Sequence, residues 1–169
     1  IYIRAKELHF TTDVPRAVFL IRQVGKTDVA ALDVLQSMFS DKQQDFVLSI
    51  SETDIAVIRQ LPPGTDSKEL TRIATQIEET LNAEIFVKTI IGIGTLCNHL
   101  RDLPDAYKEA LMAIEVGKVF DTEKSIISYE NLGIGRLIYQ LPTTLCEIFL
   151  SEVFKKNSID TLDQETLFT

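Results

Sequence analysis

The chain contains 169 residues, of which 45% are hydrophobic and 25% are charged, enough for one buried core. Its 17 basic and 25 acidic side chains give a formal net charge of −8. This charge argues against a nucleic-acid-binding surface, because phosphate backbones are bound by basic faces. No apolar run approaches the ~20 residues that span a bilayer, and no charged-then-apolar leader marks export. Two cysteines, Cys97 and Cys146, cannot form a secreted disulfide framework and predict reduced thiols in the cytoplasm.

The first half of the sequence predicts a strand, a helix and a hairpin. The apolar run 17–21 is typical of a strand that is buried on both faces. Thr27 is the expected cap of a helix, whose apolar stripe is Ala31, Leu32, Leu35, Met38 and Phe39. Two apolar runs, 45–50 and 55–61, are separated by the polar residues 51–54, which predicts a β-hairpin.

The second half predicts two helices and two strands. Asp66 and Glu69 have the spacing of a capping box, and apolar residues then repeat with helical periodicity at Leu70, Ile73, Ala74, Ile77 and Leu81. The run 85–93 predicts a strand, residues 104–120 a helix, and residues 125–129 a short edge strand. The helix over 104–120 has a ridge of small residues that should allow close contact with a sheet, namely Ala106, Ala110, Ala113 and Gly117.

These elements follow the order strand, helix, hairpin, helix, strand, helix, strand. That order predicts an α+β fold with a mostly antiparallel central sheet flanked by helices. A helical extension is expected over residues 134–157, with a break at Pro142. Its apolar stripe most simply belongs to a core, but it could instead contact another subunit or domain. The stripe consists of Leu145, Ile148, Phe149 and Val153.

Two glycine pairs are superficially similar to phosphate-binding loops. They are Gly92-Ile93-Gly94 and Gly133-Ile134-Gly135. Neither completes G-x-G-x-x-G, and neither is followed by the G-K-[ST] sequence whose lysine would reach a phosphate. We therefore interpret both pairs as positions where the backbone needs glycine.

The sequence predicts no metal site and no cofactor. His9 and His99 are the only histidines and lie far apart. Cys97 is close to His99 in sequence, but a zinc site needs three or four ligands and no C-x-x-C or H-x-x-x-H partner is present.

Acidic and thiol groups offer weak catalytic candidates. Asp102, Asp105 and Glu109 cluster at a predicted helix start, where acids favour the helix dipole. Asp102 or Asp105 could serve as a general base, but no partner nucleophile is evident. Cys97 and Cys146 would be nucleophiles only beside a histidine, and buried packing is the simpler role. No catalytic residue is predicted.

The C-terminal half resembles a known family. Residues 106–117, AYKEALMAIEVG, resemble the SY-x-EA-x-x-AL-x-x-G helix of bacterial carbohydrate diacid regulators and their purine-catabolism-regulator relatives. Residues 126–133, IISYENLG, resemble the v-x-Y-x-x-L-G segment of that family. The strand end at 92–94 and the entry segments 4–8 and 15–16 are similar as well. The resemblance implies a degenerate GGDEF-like domain with a ferredoxin-like, nucleotide-cyclase-like fold.

The resemblance also implies a domain organisation. Residues 1–14 would end a linker helix from an upstream sensory domain, and residues 15–133 would form the GGDEF-like domain. The helical extension over 134–157 would lead to residues 158–169, the start of a truncated helix-turn-helix domain. Because the first residue is Ile1 and not methionine, we expect a piece of a longer protein. DNA would then be bound only through the missing C-terminal domain.

Kinship with diguanylate cyclases raises an enzymatic alternative. Those enzymes carry metal-binding carboxylates on the first strand and a Gly-Gly-[DE]-Glu-Phe turn in the central hairpin, and two-metal chemistry requires such carboxylates. Here the run 17–21 contains no acid, and the turn reads Ser51-Glu52-Thr53-Asp54, without the glycines. Glu52 and Asp54 alone do not rebuild the site.

We therefore expect a non-catalytic relay module of a cytoplasmic transcriptional regulator, with homodimerisation as a further expectation and no contact with a membrane. The alternatives are a nucleotide-binding or weakly active cyclase-like domain and a pure dimerisation scaffold.

Overall fold

A computed structural model describes residues 12–120 and 123–133, together with positions 148, 151 and 152. Five strands form one sheet in the order β2-β3-β1-β4-β5. The elements are β1 (Arg16–Val24), α1 (Ala30–Met38), β2 (Asp45–Ser49), β3 (Asp54–Gln60), α2 (Ser67–Ile85), β4 (Lys88–Ile93), α3 (Leu103–Phe120) and β5 (Ile126–Ser128). Strand β1 lies at the centre, antiparallel to β3 and β4, while β5 runs parallel to β4. The predicted α+β class is confirmed, with a mixed sheet.

Half of the predicted capping box is present at the start of α2, because the Glu69 carboxylate accepts hydrogen bonds from Arg72 and not from the Asp66 backbone N–H. Asp66 is the N-cap residue, and its carboxylate accepts a hydrogen bond from the Glu69 backbone N–H at 3.0 Å. The apolar positions that follow are all buried, as the helical periodicity predicts; they are Leu70, Ile73, Ala74, Ile77 and Leu81. The cap and the apolar face therefore fix both the start and the orientation of this helix.

Two predicted boundaries are wrong. Thr27 does not cap α1, because the Asp28 carboxylate takes that role by accepting the Ala30 N–H at 2.9 Å. The strand predicted from residue 85 begins later, since α2 continues through Ile85. The chain then reverses at Phe86, which has a left-handed conformation with φ of 54°. Apolar residues alone did not separate the helix end from the strand start.

Strand β1 separates two apolar cores, as its continuous apolar run predicts. Phe19 and Ile21 face the core that contains α1 and α2. Val18 and Leu20 face the opposite core, under α3. Because side chains alternate across a strand, successive residues of β1 contribute to the two cores in turn.

Glycines in and just after β4 allow α3 to pack directly on the sheet. A Cβ atom at Gly92 would lie 2.1 Å from the Ala110 carbonyl oxygen, and one at Gly94 would lie 2.2 Å from that of Ala106. Neither glycine has a positive φ. The first glycine pair is therefore a packing feature, and it meets the small-residue ridge predicted on this helix.

A second unit of the chain begins at Ile134. Within it, Ile148, Ser151 and Glu152 are helical. The other residues of the predicted extension, and all of the predicted helix-turn-helix start over 158–169, lie outside the described residues. None of the helices in the described part is long and apolar enough to cross a membrane.

Replacing Gly92 with alanine tests the close contact between α3 and the sheet. The added methyl group would overlap backbone atoms of Ala110, and we expect the free energy of unfolding to fall by about 3 kcal/mol, as measured by urea titration. Gly64→Ala is the control, since no atom lies within 4 Å of its Cβ position. Its positive φ should cost about 1 kcal/mol. Equal losses in the two variants would contradict the packing role.

Candidate functional site

The candidate site lies where β1 ends beside the hairpin turn. These are the two elements that carry the acidic residues of diguanylate cyclases in the resemblance described above. Arg22 in β1 is directly opposite Asp54 in β3. The backbone N–H of Gln23 donates to the Thr53 carbonyl at 2.9 Å, which holds the turn against the strand end. The predicted hairpin is confirmed, and its turn is tied to the central strand.

One guanidinium group links three elements at this end of the sheet. Arg22 Nε donates to Asp54 Oδ1 and Arg22 Nη2 donates to Asp54 Oδ2, each at 2.9 Å. Arg22 Nη1 donates to Glu115 Oε1 on α3. Thr53 Oγ1 also donates to Asp54 Oδ1, at 2.9 Å. We call Arg22, Asp54 and Glu115 the Arg22 cluster. It joins β1, β3 and α3 through paired, charge-assisted hydrogen bonds.

The Arg22 cluster is largely shielded from solvent. The side chains of Arg22, Asp54 and Glu115 are 17%, 10% and 37% exposed. The hydrogen bonds from Arg22 lower the pKa of the Asp54 carboxyl below its ordinary value, although burial acts in the opposite direction. The same hydrogen bonds raise the pKa of Arg22. Both groups are therefore ionised at neutral pH, and each compensates the burial of the other.

The residues at this site do not fit a divalent cation. Both carboxylate oxygens of Asp54 already accept hydrogen bonds from a cationic side chain. Glu52, the other acid of the turn, is exposed. Over the described ranges, no group of three or more His, Cys, Asp or Glu side chains could hold a metal ion. The Arg22 guanidinium therefore engages both oxygens through which Asp54 would bind a cation.

The remaining polar candidates meet at the opposite end of the sheet. Asp102, Asp105 and His99 line a cavity of about 300 Å³ that also contains Cys97 and Glu109. His99 Nδ1 lies 3.0 Å from an Asp13 carboxylate oxygen. The Glu109 carboxylate accepts the Thr95 backbone N–H at 2.8 Å, so it helps to close the loop before α3.

The Cys97 thiol does not have the surroundings of a nucleophile. It is buried and donates a hydrogen bond to the Arg16 carbonyl oxygen at 3.3 Å. Burial, together with nearby Asp102, raises the pKa of this thiol. The thiol therefore stays protonated near neutral pH, and only the thiolate is reactive. The structural role predicted for Cys97 agrees with this environment.

Other predicted residues are only partly described. His9, Cys146, Leu145, Phe149 and Val153 lie outside the described residues. Ile148, the remaining member of the predicted contact stripe, is exposed. The contact proposed for that stripe stays a prediction. Gly133 has a positive φ of 54°, which is the backbone requirement expected for the second glycine pair.

Sequence reasoning missed two of the three residues in the Arg22 cluster. Arg22 directly follows the apolar run 17–21, and Glu115 lies within the helix predicted over residues 104–120. In sequence, Arg22 is 32 residues from Asp54 and 93 residues from Glu115, so no local spacing indicates either contact. Arg22 comes to lie opposite Asp54 only through the pairing of β1 with β3, two strands that are not consecutive in the chain.

Comparison with known families agrees with this fold. Residues 1–116 match the model of the family described as GGDEF-like domain. The match covers more than half of the chain, and the chain therefore belongs to the GGDEF-like domain family. No protein of curated function matches the sequence.

Removing Arg22 tests the energetic role of the cluster. Arg22→Met leaves the Asp54 carboxylate buried without its guanidinium, and we expect the free energy of unfolding to fall by about 3 kcal/mol in urea titrations at neutral pH. The double variant Arg22→Met/Asp54→Leu removes the two more buried charges and leaves Glu115, which is 37% exposed. It should recover most of the loss, because an apolar pair can replace a buried ion pair.

The matched control for this experiment is Arg72→Met. Arg72 also binds a carboxylate, that of Glu69, but on the exposed surface of α2. Its loss should leave the unfolding midpoint nearly unchanged. Equal destabilisation by Arg22→Met and Arg72→Met would show that the Arg22 cluster behaves as an ordinary surface pair.

Proposed function

We propose that this domain is a non-catalytic regulatory module that relays the state of an upstream sensory domain to a downstream DNA-binding domain. The observation that carries the proposal is the guanidinium of Arg22, bound to both carboxylate oxygens of Asp54 at the hairpin end of the sheet. Cyclase chemistry needs carboxylates that are free to bind divalent cations. A fixed positive charge at that point opposes cation binding and favours a structural use of the acid.

The Arg22 cluster supports a relay role through the elements it joins. It connects the central strand, the hairpin and α3, and α3 leads to β5 and the end of the first unit. Glycine contacts hold α3 against the sheet along its length. These contacts support the proposal that the domain responds as one rigid body, so that a displacement applied at one end would be passed to the other.

The finer proposal concerns the kind of regulator. The segments 106–117 and 126–133 resemble those of carbohydrate diacid regulators. We therefore infer a bacterial transcriptional regulator of that type, in which DNA is bound by a helix-turn-helix domain and not by this acidic module. A helix-turn-helix encoded directly after Thr169 would support this context.

The competing function is a nucleotide-binding or weakly active cyclase-like domain. Membership of the GGDEF-like family makes it the natural alternative, and Lys118 contributes a further positive charge near Asp54. The two functions differ in one measurable property. A cyclase-like domain must bind GTP together with Mg²⁺, whereas a relay module with Arg22 in place of the metal does not.

Calorimetric titration of the 169-residue chain with GTP and Mg²⁺ separates the two functions. We expect no saturable binding up to about 1 mM, a limit equivalent to roughly 4 kcal/mol of binding free energy. A parallel assay for pyrophosphate release should show no turnover, with an active diguanylate cyclase as the positive control. Saturable binding in the micromolar range, or pyrophosphate release above background, would contradict the proposed function.

A further inference from the structure

Strand β2 forms one edge of the five-stranded sheet. It is the outermost strand on its side, and within the described ranges it pairs with β3 alone. Its sequence, DFVLS, contains neither proline nor lysine, two residues that commonly prevent edge strands from pairing with other chains. An edge of this kind presents backbone donors and acceptors to a further strand.

The hydrogen-bond pattern identifies which backbone groups point outward. At one end of the hairpin the Ile50 N–H donates to the Asp54 carbonyl, and at the other the Gln60 N–H donates to the Gln44 carbonyl. Because antiparallel pairs alternate between bonded and non-bonded positions, the even-numbered residues of β2 bond to β3. The backbone groups of Val47 and Ser49 therefore face the open edge.

Apolar side chains lie on both faces of the sheet beside this open edge. On the sheet face that α3 covers elsewhere, Phe46 is half-buried, Leu48 is 47% exposed and Ile50 is 45% exposed. On the other face, a groove of about 440 Å³ runs between the end of α1 and β2 and is lined by Phe39 and Val47. The edge thus offers both main-chain pairing and apolar area.

We propose that β2 pairs with β2 of a second copy of this chain, antiparallel and with the two-fold axis at Val47. In this register the Val47 backbone groups pair with those of the second copy, and the Ser49 N–H reaches the second copy's Asp45 carbonyl. Phe46 then lies opposite the second copy's Leu48. The two sheets become one continuous sheet, and the exposed apolar residues of each copy cover one another.

Charge complementarity favours a second copy as the partner. Lys42 lies in the turn before β2 and Glu52 in the hairpin turn after it, and both are exposed. The two-fold axis at Val47 brings the first turn of one copy beside the second turn of the other. Asp45 faces Ser49 across the interface, and its charge interacts with Arg59 of its own β3. A second copy always supplies this matching pair of charges, whereas an unrelated peptide would carry it only by coincidence.

Cysteine cross-linking tests the register directly. Across a bonded antiparallel pair, the two Val47 Cα atoms would lie about 5.5 Å apart, within reach of a disulfide. The two Ser49 positions would be separated by about 13 Å along the strands. Under mild oxidation, Val47→Cys should form a covalent dimer at least tenfold faster than Ser49→Cys or the parent chain. Equal rates in all three proteins would overturn the proposal.

A charge exchange tests the same interface without a new thiol. By sedimentation equilibrium, Lys42→Glu and Glu52→Lys should each raise the dimer dissociation constant several-fold, and the double variant should restore it. Lys68→Glu, on the exposed face of α2, is the control and should have no effect. A monomeric parent chain, a double variant that fails to restore the dimer, or a dimer insensitive to both changes would overturn the proposal. A dimer insensitive to both changes would instead favour the predicted contact stripe of the helical extension as the interface.

Discussion

The ion cluster formed by one arginine and two acids is the constraint on which the rest of this domain depends. Arg22 is placed by the central strand, which is buried on both faces, so its guanidinium cannot move into solvent without breaking its bonds to Asp54 and Glu115. A buried charge without a partner is costly. The three residues therefore hold the strand, the hairpin and α3 in one arrangement.

The residues that this fold needs for packing differ from those that metal-dependent catalysis needs. The sheet order, the hairpin and the direct contact of α3 with Gly92 are features of shape, and they require small or apolar residues only. Metal-dependent catalysis requires unpaired carboxylates in addition. The salt bridge of Arg22 with Asp54 satisfies the first set of requirements, and the proposed relay function needs nothing from the second.

Local patterns in the sequence predict much of the architecture. The helix cap at Asp66, the apolar run of β1 and the polar turn between β2 and β3 each depend on neighbouring residues, and each is confirmed. Errors occur where two elements compete for the same residues, as at Ile85, where apolar character suits a helix end and a strand start equally. The Arg22 cluster was missed because its members come together only through tertiary structure, across two long sequence separations.

The central claim is that a guanidinium group, and not a metal, neutralises the carboxyl of Asp54. It is tested most directly by following the side-chain carboxyl ¹³C resonance of Asp54 during a pH titration, with and without Mg²⁺. The account predicts a pKa below the usual value of an aspartate, together with a titration curve that Mg²⁺ leaves unchanged. An ordinary pKa, or a curve displaced by millimolar Mg²⁺, would contradict it.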